Sequence, residues 1–197
     1  MSIVSGIFAR HKTYNAVLRR LTQSVVNGVP GVKSYPIVGA AKAIYYRGSL
    51  AKSFIGEKFA ADVSGVVLFD PAQISASEIP TTSGRIDICD EDSTGAVNLA
   101  AGYAAGATIM AVDGFTVQPK QFDMFFVAGD SVEHEIKAVY YTGSAVSSIS
   151  FTPALGASVT DDAVIVVTPI IERLSVIDAD DVALQGAALV VPVKEFA

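Results

Sequence analysis

The sequence is short of charge, of cysteine and of histidine. Only 17% of its 197 residues are charged, against about a quarter in ordinary soluble chains. Cys89 is the single cysteine, which excludes an internal disulfide and a cysteine-based metal cluster and fits synthesis in a reducing cytoplasm. His11 and His134 are the two histidines. His134 is followed by Glu135, Ile136 and Lys137, so no HExxH zinc motif exists. On a strand its neighbours Glu133 and Glu135 would point to the face opposite His134 and would not converge with it on a metal. No apolar run reaches the ~20 residues of a membrane-spanning helix. The opening MSIVSGIFARHK has neither a long apolar run nor a small-residue cleavage site, so no secretory signal is predicted.

One absence is confined to part of the chain. Residues 1–56 contain no Asp or Glu, yet carry Arg10, Lys12, Arg19, Arg20, Lys33, Lys42, Arg47 and Lys52, a charge of +8. From Glu57 onward twenty acids face six bases, a charge of -14, which gives the net -6. A basic end on an acidic remainder has three readings. The two parts neutralise each other within one chain, the basic end docks on the acidic face of a neighbouring copy, or it touches nucleic acid. An open nucleic-acid surface usually adds interleaved aromatics, and Tyr14 stands alone in the segment.

What the chain does have is apolar residues, at 51%, enough for a sizeable core and for apolar surface buried against partners. Tyr14, Val17, Leu18, Leu21 and Val25 recur at three- and four-residue steps, which predicts an amphipathic helix over 5–26 ended by Gly28 and Pro30. The pattern then turns to β. Ser34–Tyr46 is rich in Ile, Val and Tyr. Val63–Phe69 is an apolar run closed by Asp70–Pro71, and Gly84–Cys89 alternates as a strand does. From about Val97, short apolar strands follow each other at the spacing of a small sandwich or barrel, with Gly114, Gly129, Gly143 and Gly156 at the turns. The tail carries two apolar runs, IIERLSVI and ALVVPV, in the style of the first part. The expected fold is therefore mostly β: a barrel or sandwich body over 1–95 and 170–197 with an N-terminal helix, and a second β domain, 96–169, inserted into it.

The candidates for chemistry fail on spacing. Asp90, Asp92 and Gly95 match positions one, three and six of a calcium loop, but position twelve is Ala101. Ser144 follows Gly143 without the nucleophile-elbow pattern, and Cys89 reads as a small strand-core residue. Gly102 and Gly106 form no GxGxxG or P-loop. Asp161–Asp162 and Asp180–Asp181 read as solvated turn acids. The chain is expected not to be an enzyme and to need no cofactor.

The order of parts resembles the head-completion proteins of tailed bacteriophages. It is carried by TYNAVLRRLTQSVV, an IYYRG-like segment, SLAKSFIGEKFAADVSG, VVLFDPAQI, SASEIPTTSG and RIDI, over roughly residues 13–90 with part of the tail. The second β unit is similar to modules that recur in phage virion proteins, and the small head-completion pattern lacks such an insertion. The resemblance implies a structural virion protein of the neck, a stopper or connector ring around a DNA channel, made of several copies. Its implied partners are portal or adaptor proteins on one side and tail proteins on the other, with genomic DNA in the channel and no membrane. Arg10, Lys12, Arg19, Arg20, Lys52, Phe54 and Lys58 are the expected subunit contacts, with the loop Ser49–Ser64 reaching a neighbour or closing the channel. The alternatives are a capsid decoration (cement) protein and a nucleic-acid-binding β protein that uses the basic N-terminal helix.

Overall fold

The computed structural model describes residues 11–47, 63–80, 84–177, 183–185 and 188–196. The chain is mostly β, with two closed six-strand barrels. It divides into two compact units, one running to Cys89 and resuming at Ile171, the other formed by Asp90–Ile170.

The first unit begins with β1 (Tyr14–Arg19), β2 (Thr22–Val26), β3 (Val29–Ser34), β4 (Ile37–Arg47), β5 (Gly65–Phe69) and β6 (Arg85–Cys89). No α-helix occurs among the described residues, which corrects the expected helix over 5–26; its residues 5–10 lie outside them. The physical reason lies in two features that the helical spacing concealed. Val17, Thr22, Val25 and Val26 are β-branched, and such residues sit better on a pleated sheet than in a helix. Asn27 and Gly28, with φ of 53° and 78°, then form the two-residue turn of a hairpin in which Val26 pairs Val29. Both central residues of such a turn need positive φ, which is why Asn-Gly marks it. In β1 the buried apolar residues are therefore Ala16 and Leu18, two apart.

The second unit holds β7 (Ser93–Val97), β8 (Ile109–Asp113), β9 (Met124–Val127), β10 (His134–Thr142), β11 (Ala145–Thr152) and β12 (Val164–Thr168). The chain returns to the first unit with β13 (Ile170–Val176), β14 (Ala183–Gln185) and β15 (Ala188–Glu195).

In the first unit the sheet order is β13-β6-β1-β4-β5-β15-β14, and β13 also pairs with β15, which closes the barrel. Its interior is filled by Leu18, Phe69, Ile86, Ile88, Leu174, Val191 and their neighbours. The two faces of β5 are both covered, because Ile44, Val66, Leu68 and Val190 pack in a second cluster with Tyr46 and Val63. A strand buried on both faces reads as an unbroken apolar run, and GVVLF does. The hairpin β2–β3 joins neither barrel and pairs only with itself.

In the second unit the barrel order is β10-β11-β8-β7-β12-β9. Met110, Phe125, Ile136, Ile149, Ile165 and Val167 fill it. The strand β7 occupies part of the acidic break expected over Asp90–Gly95. An added Cβ on its Gly95 would lie 2.5 Å from the Phe115 ring, so a glycine is required for that ring to lie against the strand. On β10 strand alternation puts His134 and Ile136 in the core but does not carry on to Ala138 and Tyr140. The register shifts between Ile136 and Ala138, after which Val139 packs toward the core and Tyr140 is 45% exposed.

Gly102 ties the Ala100–Ala104 loop to the barrel. It has φ of 64°, donates to Leu99 O at 2.6 Å, and an added Cβ would overlap the Val159 carbonyl oxygen. Gly102→Ala is therefore expected to lower stability by about 2 kcal/mol, measured as a shift in the urea midpoint at constant slope. Gly106→Ala, at φ 91° with open space around it, carries the backbone strain without the overlap and is expected to cost less.

Candidate interaction surface and buried charge clusters

The expected contact residues fall into three groups. Arg10, Lys52, Phe54 and Lys58 lie outside the described residues, as does most of the Ser49–Ser64 loop. Lys12 and Arg20 are exposed, and the Lys12 ammonium sits 4.7 Å from the centre of the Tyr14 ring. Arg19 is in neither position. It is 2% exposed, so it is built into the barrel and offers no face to a partner.

Arg19 is buried because β1 places it beside β6. Its Nε donates to Asp87 Oδ2 at 2.6 Å and its Nη1 to the Tyr35 carbonyl at 3.2 Å. Arg85 approaches the same carboxylate, with Nη2 3.1 Å from Oδ2 and Nε 2.8 Å from Oδ1. Its guanidinium also lies 5.0 Å from the Tyr35 ring centre and 5.7 Å from that of Phe196, a stacked arrangement that suits arginine and not lysine. Burial lowers the pKa of Arg85; the Asp87 carboxylate opposes this, while Arg173 and Arg19 add to it. One carboxylate thus holds two buried guanidiniums together across β1 and β6.

A second pair joins the two halves of the first unit. Arg47 at the end of β4 donates through Nε to both Glu172 oxygens, at 3.2 and 2.9 Å, and its Nη2 lies 2.7 Å from Oε1. This fork geometry is the strong form of the pair. Hydrogen bonding to Glu172, first of all, raises the Arg47 pKa. Burial pushes the Tyr45 phenol up to about 12, with Arg47 opposing and Glu172 adding. The Tyr45 ring lies against Gly65, where an added Cβ would come within 2.6 Å of Cε2.

The second barrel has its own cluster. His134 is fully buried, between the rings of Phe125 and Phe151 at 5.0 and 5.1 Å. Its Nδ1 is 2.8 Å from the Pro153 carbonyl, and a carbonyl only accepts, so Nδ1 carries the hydrogen. Its Nε2 is 3.3 Å from Asp130 Oδ2. Asp130 also accepts from the backbone N–H of Val132 at 3.0 Å and of Gly156 at 2.7 Å. Burial on its own would raise the Asp130 pKa, but the N–H donors of Val132, Gly156 and Ala157, with His134, outweigh it and the net shift is downward. The cluster pins the β9–β10 loop to the β11–β12 loop.

The sign of the pH effect follows. A carboxylate whose folded pKa is depressed contributes stability that is present above its unfolded pKa, about 4. That contribution is lost as pH falls through the folded value. Asp130→Asn is therefore expected to be less stable at neutral pH and to lose stability less steeply below about pH 4 than the natural chain, as read from thermal midpoints across a pH series. Parallel acid limbs would contradict the assignment.

The remaining sequence candidates are placed as follows. Asp92 accepts from Thr168 Oγ1 at 2.9 Å, and Asp161 accepts from the Leu99 N–H at 2.8 Å. Asp180–Asp181 lies outside the described residues. Cys89 is 1% exposed, and its thiol lies 3.6 Å from the Asp87 carbonyl. Among the described residues no group of three or more His, Cys, Asp or Glu side chains is placed to hold a metal. A shallow cleft of about 370 Å³ lined by Gly102, Tyr103, Val159 and Asp161 opens on the second barrel. No helix of the described residues is long and apolar enough to cross a membrane.

What sequence reasoning missed is the hairpin β2–β3. Val25 and Val29 are 64% and 66% exposed on it, and Gln23 lies opposite Lys33. Arg19 is buried; Lys12, Arg20, Lys33, Lys42 and Arg47 lie at the surface of the segment 11–47, which contains no acid, and Arg47, its side chain 66% exposed, is held by Glu172. The dipeptide Asn27–Gly28 was the signal that could have found it.

A scan against protein-family models finds no match to this chain, and a search of curated proteins finds none either.

Proposed function

We propose that the chain is a structural protein of a tailed-phage virion, a component of the neck or stopper ring that joins the portal side of the head to the tail. The observation that carries the reading is the self-paired hairpin with exposed valines, set in a surface segment that has cations and no carboxylate. A ring of identical copies needs a head-to-tail contact between two different patches. A basic protrusion on a chain whose other parts are acidic supplies two such patches. The order of parts from residue 37 to 90 supports the same reading, although TYNAVLRRLTQSVV is strand where the head-completion pattern has a helix.

Nucleic acid is the weaker use of the same cations. Arg19 is buried on Asp87 and Arg47, though exposed, is paired to Glu172, which leaves a sparse set of unpaired cations for counterion release.

The test is assembly. The purified chain is expected to sediment as a monomer or weak oligomer, and to form a stable ring when mixed with a portal-like dodecamer or an equivalent head-vertex ring. Steady catalytic turnover by the purified chain, or no retention on any such ring, would sink the reading.

A further inference from the structure

We propose that the β2–β3 hairpin of one copy docks on the outer wall of the second barrel of another copy, across strands β8, β7, β12 and β9. The register defines that wall. Directly paired residues of antiparallel strands share a face. Val164 pairs Ala96, and Ala96 pairs Asp113. Val166 pairs both Thr94 and Phe126. The residues between them, Ile165, Val167 and Phe125, point into the barrel, so these two rows point out. The result is an apolar strip of Phe126, Val166, Val164 and Ala96, with Phe126 39% and Val164 50% exposed. Asp113 stands at one end of the strip, and the exposed turn acids Asp161 and Asp162 precede Val164.

The two surfaces are complementary in charge and alike in apolar character. The hairpin offers Val25, paired with Pro30, and Lys33, paired with Gln23, on one face, with Arg20 at its base; Val29, paired with Val26, lies on the other face. No carboxylate occurs anywhere in residues 1–56 to repel an acidic wall. The unit Asp90–Ile170 carries ten acids against Lys120 and Lys137, a charge of -8. Exposed apolar residues rimmed by charge of one sign mark a protein interface, and opposite fields steer such surfaces together. A hairpin whose outer strand edges are unpaired among the described residues can also add main-chain hydrogen bonds to its contact. The occupant of the wall is a second copy of this chain, because this chain itself supplies the matching element.

The contact is tested by cross-linking full chains that carry Val25→Cys or Val164→Cys. Both sites are exposed and the natural Cys89 is buried, so new bonds report on the introduced thiols. Mixing equal amounts of the two variants under mild oxidation is expected to give the mixed dimer far in excess of the roughly twofold advantage over each homodimer that random pairing alone produces. Adding R20E with K33E to the hairpin partner, or raising salt, is expected to cut that yield about tenfold. Circular dichroism of each variant verifies that the barrels are intact.

A mixed dimer no more abundant than random pairing gives, roughly twice each homodimer, would overturn the proposal. So would closure of a V25C/V164C double variant into a monomeric disulfide at every dilution, which would mean that the hairpin covers its own barrel. Duplex DNA binding lost in R20E/K33E, without the cross-link, would overturn it in favour of nucleic acid. The inference rests on the ring reading, yet the two fail separately. Cross-linking of a chain found over the whole shell would refute only the neck position. A neck chain that does not cross-link would refute only this contact.

Discussion

Replacing Asp87 with alanine is expected to destabilise the first barrel by about 3–5 kcal/mol. The carboxylate is fully buried, and Arg19 and Arg85 are 2% and 5% exposed. Removing the acid leaves two guanidiniums in the barrel with their shared counter-charge gone. Breaking a buried pair from one side costs far more than the intact pair contributes, because the remaining charge keeps its desolvation penalty. The contrast is informative. Arg19→Met with Asp87→Leu leaves one buried cation instead of two and is expected to be less damaging than Asp87→Ala alone. Amide exchange of β1 and β6, whose backbones the pair spans, is the measurement. Equal protection in Asp87→Ala and the natural chain would show that the cluster contributes nothing.

His134→Ala is the second. It is expected to cost the second barrel about 3–5 kcal/mol, the sum of a lost buried ring and unpaired partners. His134→Phe separates those two parts. It keeps a ring between Phe125 and Phe151 but leaves the Pro153 carbonyl without its donor. It is expected to cost about 1–3 kcal/mol, less than alanine. Urea titration of the three chains measures both values. If phenylalanine costs as much as alanine, the hydrogen bonds and not the packing hold the two loops.

The parts that the sequence made legible and the parts that it hid differ in range. Strands whose faces alternate between core and surface declare themselves locally, and β8, β9, β11 and β12 did. The misread segment is the one where two periods fit the same residues. Tyr14, Val17, Leu18, Leu21 and Val25 satisfy a helical stripe, while Ala16 and Leu18 satisfy a strand. Asn27–Gly28 decides between them, because a two-residue hairpin turn needs that pair where a helix end needs only a glycine. The strand β7 was hidden by Asp92, Ser93 and Gly95, which look like a turn. They lie in or beside a strand because Thr168 and Phe115 pack on them.

The buried clusters were out of reach for a different reason. Arg19 and Asp87 are 68 residues apart, and Arg47 and Glu172 are 125 apart. No local pattern pairs them. Their consequence bears directly on function. A charge count over residues 1–56 treats all eight cations as surface, whereas Arg19 and Arg47 answer acids within their own barrel. The intramolecular reading of the charge split is therefore realised in part: Arg19 and Arg47 meet the chain's own acids, and Lys12, Arg20, Lys33 and Lys42 lie at the surface.

The central claim is that this β-rich chain acts by its place in an assembly, at the neck of a phage particle. Electron microscopy of intact particles with a gold-labelled antibody to the chain tests it most directly. Label at one vertex, between head and tail, is the predicted result. Label distributed over the whole shell would contradict the neck assignment and identify a decoration protein instead.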